Sequence, residues 1–151
     1  LYDMQHQEIP ALSHYVPAHE GPEDELAKTF PLQLITWKGK NRANSTQYAN
    51  PWLIEAQQQK LWINPQDAQK RGIAQGDTVR IHNARGICEI PAEVTPRIMP
   101  GVVAMQAGAW WQPDEQGIDK GGCANVLSSA RITALAKGNS HQTMLVEVAK
   151  A

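Results

Sequence analysis

The sequence predicts one domain that is mainly β with short helices, arranged as a mixed β-barrel. The chain has 151 residues, which is a usual length for one domain with its own hydrophobic core. Hydrophobic residues make up 42% of it, which is typical of a globular protein. About six strand-like segments and two or three short helical segments follow one another without a regular strand–helix–strand alternation. This order favours a barrel over a doubly wound parallel sheet.

The first 30 residues indicate an extended arm or linker, and residues 31–151 form the predicted barrel domain. The arm carries six acidic residues and one basic residue, Lys28. Such a charge excess, combined with prolines, disfavours a packed element. Three prolines are spread along this arm: Pro10, Pro17 and Pro22.

The domain begins with a strand, a loop and a short helix. Alternating side chains in residues 31–37 predict the strand. The polar run 38–47 has too little apolar content for a core element and predicts a loop. Asn50 and Pro51 then predict the start of a helix, because asparagine caps a helix and proline suits its first position.

A brief strand and a second helix follow. The apolar residues 61–63 predict the strand, and Asn64 with Pro65 repeats the cap-and-proline signal. Gly72 is a natural residue to end this helix, because glycine readily adopts the left-handed conformation found there.

The second half of the domain predicts four strands. Residues 78–82 and 88–94 alternate around the turn 83–86 and predict a hairpin. Pro91 in the returning strand suggests a sheet edge or a bulge, because proline has no N–H to donate. The remaining predictions are a strand at 102–106, a helical turn within 125–136 and a closing strand at 143–148.

Charge and motifs exclude several classes of function. The net charge of −1 argues against nonspecific binding to nucleic acid or membranes, and no apolar run reaches about 18 residues. Residues 31–97 hold nine basic and five acidic residues, which serve either an anionic ligand or surface solubility. Glycine motifs for dinucleotides or nucleoside triphosphates, and the serine elbow of hydrolases, are absent from the sequence.

The two cysteines indicate neither a disulfide framework nor a zinc site. Cys88 lies within an apolar alternation and is expected in the core, and Cys123 lies far from it in sequence. Because the chain begins with Leu1, we expect it to be a fragment of a longer protein.

The most specific signal is the stretch 64–86, which reads N-P-x-D-A-x-x-R-G-I-x-x-G-D-x-V-R-I-x-N-x-R-G. It resembles the molybdopterin dinucleotide-binding domain at the C-terminal end of the dimethyl sulfoxide reductase family. Among subfamilies it looks most like the catalytic subunit of anaerobic dimethyl sulfoxide reductases. The resemblance covers about residues 28–149, and it includes four further stretches: 100–103, 108–111, 125–127 and 145–148.

This resemblance implies a double-psi β-barrel and a share in binding molybdenum-bis(molybdopterin guanine dinucleotide). The other domains of the parent enzyme would supply the remaining contacts. Because the metal ligand in this family comes from another domain, we expect neither a catalytic residue nor a metal ligand in this chain, and the isolated chain should be inactive.

The resemblance also implies a setting for the parent enzyme. It would reduce a small S- or N-oxide and receive electrons from an iron–sulfur subunit. It would lie at the periplasmic face of the bacterial cytoplasmic membrane. Binding to nucleic acid and direct membrane insertion are not expected of this domain.

The cofactor-binding loop implied by the resemblance is the polar run 38–47. Its basic and hydroxyl side chains suit an anionic pyrophosphate. The alternative is a solvated basic loop without a ligand. The residues that take the cofactor-binding role in this loop are Lys38, Arg42, Ser45 and Thr46.

Three later segments match cofactor-facing parts of the family. Gly108 would allow a close backbone approach, and Trp110 either lines the pocket or belongs to the core. Asn125 either pairs with the pterin edge through its amide or serves a turn or helix cap. His141 and Gln142 precede the closing strand, and the amide of Gln142 is the preferred contact of this pair. By contrast, two arginines of the motif are expected to be structural: Arg80 and Arg85.

Two other functions deserve comparison. A double-psi barrel can serve as a protein-binding or nucleic-acid-binding module without any cofactor, since fold alone does not fix function. A pyruvoyl decarboxylase would need a Gly-Ser cleavage site, and the sequence contains no such dipeptide. The cofactor-binding domain is therefore the leading interpretation.

Overall fold

Six strands close into one barrel in the computed structural model, which describes residues 6, 8–140 and 142–151. The strands are β1 (Leu32–Trp37), β2 (Leu61–Ile63), β3 (Thr78–His82), β4 (Ile87–Val94), β5 (Val102–Gln106) and β6 (Met144–Lys150). Their order around the barrel is β1-β5-β2-β4-β3-β6. The predicted double-psi β-barrel with short helices is confirmed.

The barrel has an internal two-fold pattern. Its strand order is unchanged when each strand is exchanged with the one three places along the chain, β1 with β4, β2 with β5 and β3 with β6. The two parallel pairs, β1 with β5 and β2 with β4, exchange in the same way. The sequence shows no repeat that predicts this symmetry, because it lies in the pairing of strands and not in shared residues.

The short helices begin where the asparagine–proline pairs predict them. They are α1 (Pro51–Ala56) and α2 (Pro65–Lys70), and two 3-10 segments occupy Glu25–Lys28 and Ala124–Leu127. The Asn64 side chain accepts a hydrogen bond from the Gln66 N–H at 2.9 Å and donates to the Ile98 carbonyl at 2.7 Å. This side chain therefore caps α2 and also ties it to the loop before β5.

The barrel interior is filled by aliphatic strand residues. The Cys88 thiol is also buried there, as predicted, and Leu127 adds a fully buried side chain from the second 3-10 segment. Burial of one such side chain contributes about 1.5–3 kcal/mol. The valine, leucine and isoleucine side chains of the strands with 0% exposure are Leu34, Leu61, Ile63, Val79, Ile81, Val103 and Val146.

Pro91 lies in β4, which has a neighbour on each side, so the edge suggested by the sequence is wrong. The predicted bulge is present next to Pro91, where Gly76 and Asp77 lie opposite Ala92. Gly76 N–H donates to the Ala92 carbonyl, Ala92 N–H donates to the Asp77 carbonyl, and Gly76 has a φ of 83°. Two residues oppose one, which is the pattern of a glycine bulge. Proline is tolerated here because its nitrogen faces the β2 side, where pairing starts only at the next residue, Ala92.

The predicted arm contributes a buried carboxylate to the barrel. Glu20 is 2% exposed, and its carboxylate accepts two hydrogen bonds from Arg85, each of 2.8 Å. Arg85 also donates to the Leu127 carbonyl at 2.9 and 2.7 Å. The other arginine of the motif, Arg80, pairs with Glu89 at 2.7 Å. Both arginines therefore have the structural role that the sequence predicts.

Long apolar helices do not occur in the described part of the chain, where none could cross a membrane.

Candidate functional site

Four predicted contact residues from three chain segments line one pocket of about 400 Å³, which we call the first pocket. The loop after β1 provides two of them, the segment after β5 provides the third, and the second 3-10 segment provides the fourth. The strands β1 and β5 are parallel neighbours, so their carboxyl ends meet at the same end of the barrel. The four residues are Lys38, Ser45, Gly108 and Asn125.

Close backbone packing forms one wall of this pocket. A Cβ added at Gly108 would lie 1.8 Å from the Asn44 carbonyl oxygen, and Gly108 has a φ of 89°. Gly108 is therefore glycine because the loop after β1 lies against it. The sequence interpretation gave a different reason, a close approach of the backbone to a ligand.

Positive charge in the first pocket comes from Lys38. Its ammonium donates to the Asn44 side-chain oxygen, and among the described lining residues none carries a carboxylate. Asn125 is exposed, and its side-chain amide makes no hydrogen bond to any described residue. A cation and an amide with unused donors and acceptors are suited to a ligand with an anionic group and a polar ring edge.

A second pocket of about 430 Å³ contains two further predicted residues, Arg42 and Trp110. The rings of Tyr48 and Trp110 have centroids 5.7 Å apart at 30°, and the Arg42 guanidinium lies 5.1 Å from the Tyr48 ring centroid. Trp110 donates from Nε1 to the Ser45 carbonyl at 3.2 Å and remains 50% exposed. The alternative of a core tryptophan is therefore wrong, and the pocket offers flat faces to a planar ring.

Arg42 has an unsatisfied donor in this second pocket. Its Nη2 donates to Gln59 Oε1 at 2.5 Å, while its Nε is buried without a hydrogen-bond partner in the described structure. Burial lowers the pKa of the guanidinium, which nevertheless stays charged at neutral pH. A buried donor without a partner is costly, by about 1–3 kcal/mol. An acceptor on a ligand would remove that cost.

Two predicted contacts, Thr46 and Gln142, do not line either pocket. Thr46 is exposed in a turn, with its N–H donating to the Ala43 carbonyl. Gln142 accepts from the Thr36 N–H at 2.9 Å and donates to the Thr36 hydroxyl at 2.7 Å. The Gln142 amide therefore holds Thr36, which does line the first pocket. His141 lies outside the described residues.

Several residues that shape the site were missed by sequence reasoning. Tyr48 directly follows the predicted loop, so its position could have suggested a role. The amide network could not be found in the same way, because its members are far apart in sequence. Gln59 donates to the carbonyls of Gln106 and Gly122 at 2.8 and 3.0 Å, and Gln106 donates to Asn41 Oδ1 at 2.7 Å.

The buried thiol of Cys88 makes the free energy of unfolding depend on pH. Burial, and secondly the negative charge of Asp119, raise the pKa of Cys88 far above its ordinary value. An unfolded cysteine ionises near pH ~8.5, so above that pH the unfolded state loses a proton that the folded state keeps. The free energy of unfolding should therefore fall as pH rises above about 9, by up to ~1.4 kcal/mol per pH unit.

Cys88→Ala should remove this part of the alkaline slope. Urea unfolding of both proteins between about pH 7 and pH 10.5 measures it. Other groups also ionise in this range, but they are the same in both proteins and cancel in the difference. Parallel curves for the two proteins would contradict the prediction.

Comparison with known proteins identifies the family. A family model described as "Molydopterin dinucleotide binding domain" matches residues 32–145. The chain belongs to this family. Over 143 residues it is 52% identical to the dimethyl sulfoxide reductase DmsA of Escherichia coli (strain K12), covering 94% of this chain and 17% of that protein. It is 37% identical over 147 residues to a trimethylamine-N-oxide reductase of Haemophilus influenzae, covering 89% and 18%.

A solved structure supports the fold of this molybdopterin dinucleotide-binding domain. The chain is similar to acetylene hydratase from Pelobacter acetylenicus with a TM-score of 0.75, 16% sequence identity, and coverage of 91% of this chain and 21% of that one. At this identity the likeness concerns the barrel alone. The alternative of a cofactor-free binding module is not favoured, because the family model covers both halves of the barrel. The chain spans less than a fifth of the length of the two relatives.

The residues of the site fit a dinucleotide of this kind. A pyrophosphate needs a cation and hydrogen-bond donors, which Lys38, Ser45 and the unsatisfied Arg42 Nε provide. A planar base or pterin needs flat faces and amide groups, which Tyr48 with Trp110 and the free amide of Asn125 provide. Among the described residues, no group of three or more His, Cys, Asp or Glu side chains could hold a metal ion.

Proposed function

We propose that this chain holds part of a molybdenum-bis(molybdopterin guanine dinucleotide) cofactor inside a larger oxidoreductase. The observation that carries the proposal is the convergence of Lys38, Ser45, Gly108 and Asn125 on one pocket in a domain of this family. The rest of the cofactor's contacts, and the ligand of its metal, would come from parts of the parent enzyme outside this chain.

The residues of the two pockets would divide the work of binding. Lys38 and Ser45 would hold anionic phosphate oxygens, with Arg42 contributing its unsatisfied N–H from the neighbouring pocket. Tyr48 and Trp110 would pack against a planar ring, and Asn125 would donate to and accept from a ring edge. The bound cofactor supplies the redox chemistry, and the side chains of this domain orient it. We therefore expect the isolated chain to be inactive.

The parent enzyme would reduce a small S- or N-oxide. In that reaction the oxide takes up two electrons and two protons, the bond to oxygen breaks, and the reduced sulfide or amine leaves together with water. Support comes from the relatives named dimethyl sulfoxide reductase and trimethylamine-N-oxide reductase. The family resemblance stated from the sequence further implies that electrons would arrive from an iron–sulfur subunit, and that the enzyme would lie at the periplasmic face of the bacterial cytoplasmic membrane.

Guanosine diphosphate tests the proposal as an accessible fragment of the cofactor. Titrated into the 151-residue chain, it should shift the backbone amides of 38–47, 108–110 and 125 in NMR spectra. Lys38→Met should weaken its binding about tenfold or more, because a hydrogen bond to a charged group contributes roughly 1.5–3 kcal/mol. The effect should shrink at high salt, which screens charge.

Lys40→Met is the matched control for this titration. Lys40 stands in the same loop and is exposed, but it does not line either pocket. Its loss should leave affinity within about twofold. Equal losses for the two variants would mean nonspecific attraction of an anion to a basic loop. Shifts confined to residues elsewhere on the barrel would contradict the site.

A further inference from the structure

A fully buried carboxylate, that of Asp119, lies in the loop that connects Trp110 to Asn125. Asp119 is 0% exposed, and no described Lys, Arg or His side chain pairs with it. Three backbone N–H groups donate to it instead. Gln112 and Gly121 donate to Oδ1 at 2.8 and 3.1 Å, and Cys123 donates to Oδ2 at 2.6 Å. A buried charge without a cation needs such donors to remain in place.

These donors belong to the two limbs of one loop. Gln112 ends the limb that carries Trp110, and Cys123 is the N-cap of the 3-10 segment that carries Asn125. The limbs touch, since a Cβ at Gly121 would lie 2.1 Å from the Trp110 carbonyl oxygen. The two oxygens of one carboxylate thus join Gln112, which comes just after Trp110, to Cys123, which comes just before Asn125.

The backbone of Asp119 is fixed to the barrel wall. Its N–H donates to the Ile87 carbonyl at 3.0 Å, and its carbonyl accepts from the Glu89 N–H at 2.8 Å. Both partners lie in β4, where they pair with β3 on their other side. The carboxylate therefore has a fixed position relative to the barrel, and the loop limbs take their positions from it.

We propose that Asp119 is a positioning residue for cofactor binding, which sets the spacing between Trp110 and Asn125. The expected effect on binding rests on the proposed function, whereas the hydrogen bonds of Asp119 do not. Charge is required because both oxygens accept from N–H groups. In Asp119→Asn one oxygen becomes an NH₂ group, and a donor then faces a donor at Cys123 or at Gln112 and Gly121.

Asp119→Asn is the variant that tests the proposal, and Asp114→Asn is its matched control. Asp114 stands in the same loop and accepts from the N–H groups of Gln116 and Ile118 at 3.0 and 2.9 Å, which are both local to the turn. We expect Asp119→Asn to weaken guanosine diphosphate binding at least tenfold. It should shift the amides of Trp110 and Asn125, while the amides of β2 and β3 stay unchanged. Asp114→Asn should change only its own turn and the part-exposed Lys120 side chain, which pairs with Asp114 at 3.2 Å.

A second variant and a measurement without ligand complete the test. Asp119→Glu keeps the charge and both oxygens, so it should fold even if Asp119→Asn does not, and it should retain more affinity than Asp119→Asn. Hydrogen exchange of the Gln112 and Cys123 amides reports the positions of the limbs without any ligand. Faster exchange there in either Asp119 variant, with β2 and β3 still protected, supports the positioning role.

The outcomes separate this proposal from the proposed function. If the unaltered chain does not bind guanosine diphosphate, the ligand assignment fails, and hydrogen exchange still decides the role of Asp119. If the chain binds and Asp119→Asn binds within about twofold as well, the positioning role is overturned while the proposed function stands. Unchanged exchange at both amides in both Asp119 variants would overturn it too.

Discussion

Arg85→Ala is expected to lower the free energy of unfolding by about 3 kcal/mol, because it leaves a buried carboxylate without its arginine. Among the described residues only two longer contacts remain, from the Leu145 N–H at 3.3 Å and the His19 ring at 3.5 Å. Glu20 is 2% exposed and receives both of its strong hydrogen bonds from Arg85. The variant also removes the donors to the Leu127 carbonyl, at the end of the 3-10 segment that carries Asn125. We take the lower part of the usual range because the Arg85 side chain is 30% exposed and solvent partly screens its charge.

Urea unfolding of matched variants measures this effect. Arg80→Ala is the control, since the Arg80 side chain is 44% exposed and its partner Glu89 also pairs with Lys120 at 2.5 Å. It should cost less than about 1 kcal/mol. A double-mutant cycle with Glu20→Gln isolates the coupling between Glu20 and Arg85. Equal losses for the two alanine variants would show that the buried carboxylate does not depend on Arg85.

The result would also define where the domain begins. The sequence assigns residues 1–30 to an arm because of their charge and prolines, and nothing near Glu20 predicts a buried side chain. Its partner Arg85 is 65 residues away, in the β3–β4 turn. A contact over this distance leaves no local pattern, so sequence reasoning could not place Glu20 in the barrel.

Local chemistry explains which parts of the fold were predictable. The caps of Asn50 and Asn64 act within two residues, and strand alternation is visible along each strand, so both helices and all six strands could be placed. Strand order depends on which strands pair, and the local pattern of each strand does not show its partners. Pro91 shows the difference: the missing N–H was correctly taken as a constraint, but only pairing reveals that β4 is not an edge.

The site was predictable to a similar degree. The residues of the loop after β1, of the segment after β5 and of the second 3-10 segment were found from resemblance, and four of them meet in the first pocket. The supporting contacts were not found. Asp119 and Gln106 are buried polar residues whose partners are brought together only by folding, and in sequence they resemble ordinary loop and strand residues.

Gly108→Ala is expected to have the largest effect on the site itself. The new Cβ would lie 1.8 Å from the Asn44 carbonyl oxygen and 2.2 Å from its carbon, and both are backbone atoms that cannot rotate away. The φ of 89° adds a cost of about 1–2 kcal/mol for any residue with a side chain. Overpacking adds about 1–3 kcal/mol, so the total loss of stability should be about 2–5 kcal/mol.

Gly117→Ala separates the two costs. Gly117 has a φ of 81°, and a Cβ there would meet nothing within 4 Å. Its free energy of unfolding should fall only by the cost of the positive φ, about 1–2 kcal/mol. It should bind guanosine diphosphate as the unaltered chain does. Gly108→Ala should in addition push the Lys38–Gln47 loop away from the segment after β5 and weaken binding more than tenfold. If thermal unfolding and titration gave equal results for the two variants, the contact between Asn44 and Gly108 would not be what closes the first pocket. The loop would then have to be held by its other contacts, chiefly the Trp110 hydrogen bond to Ser45.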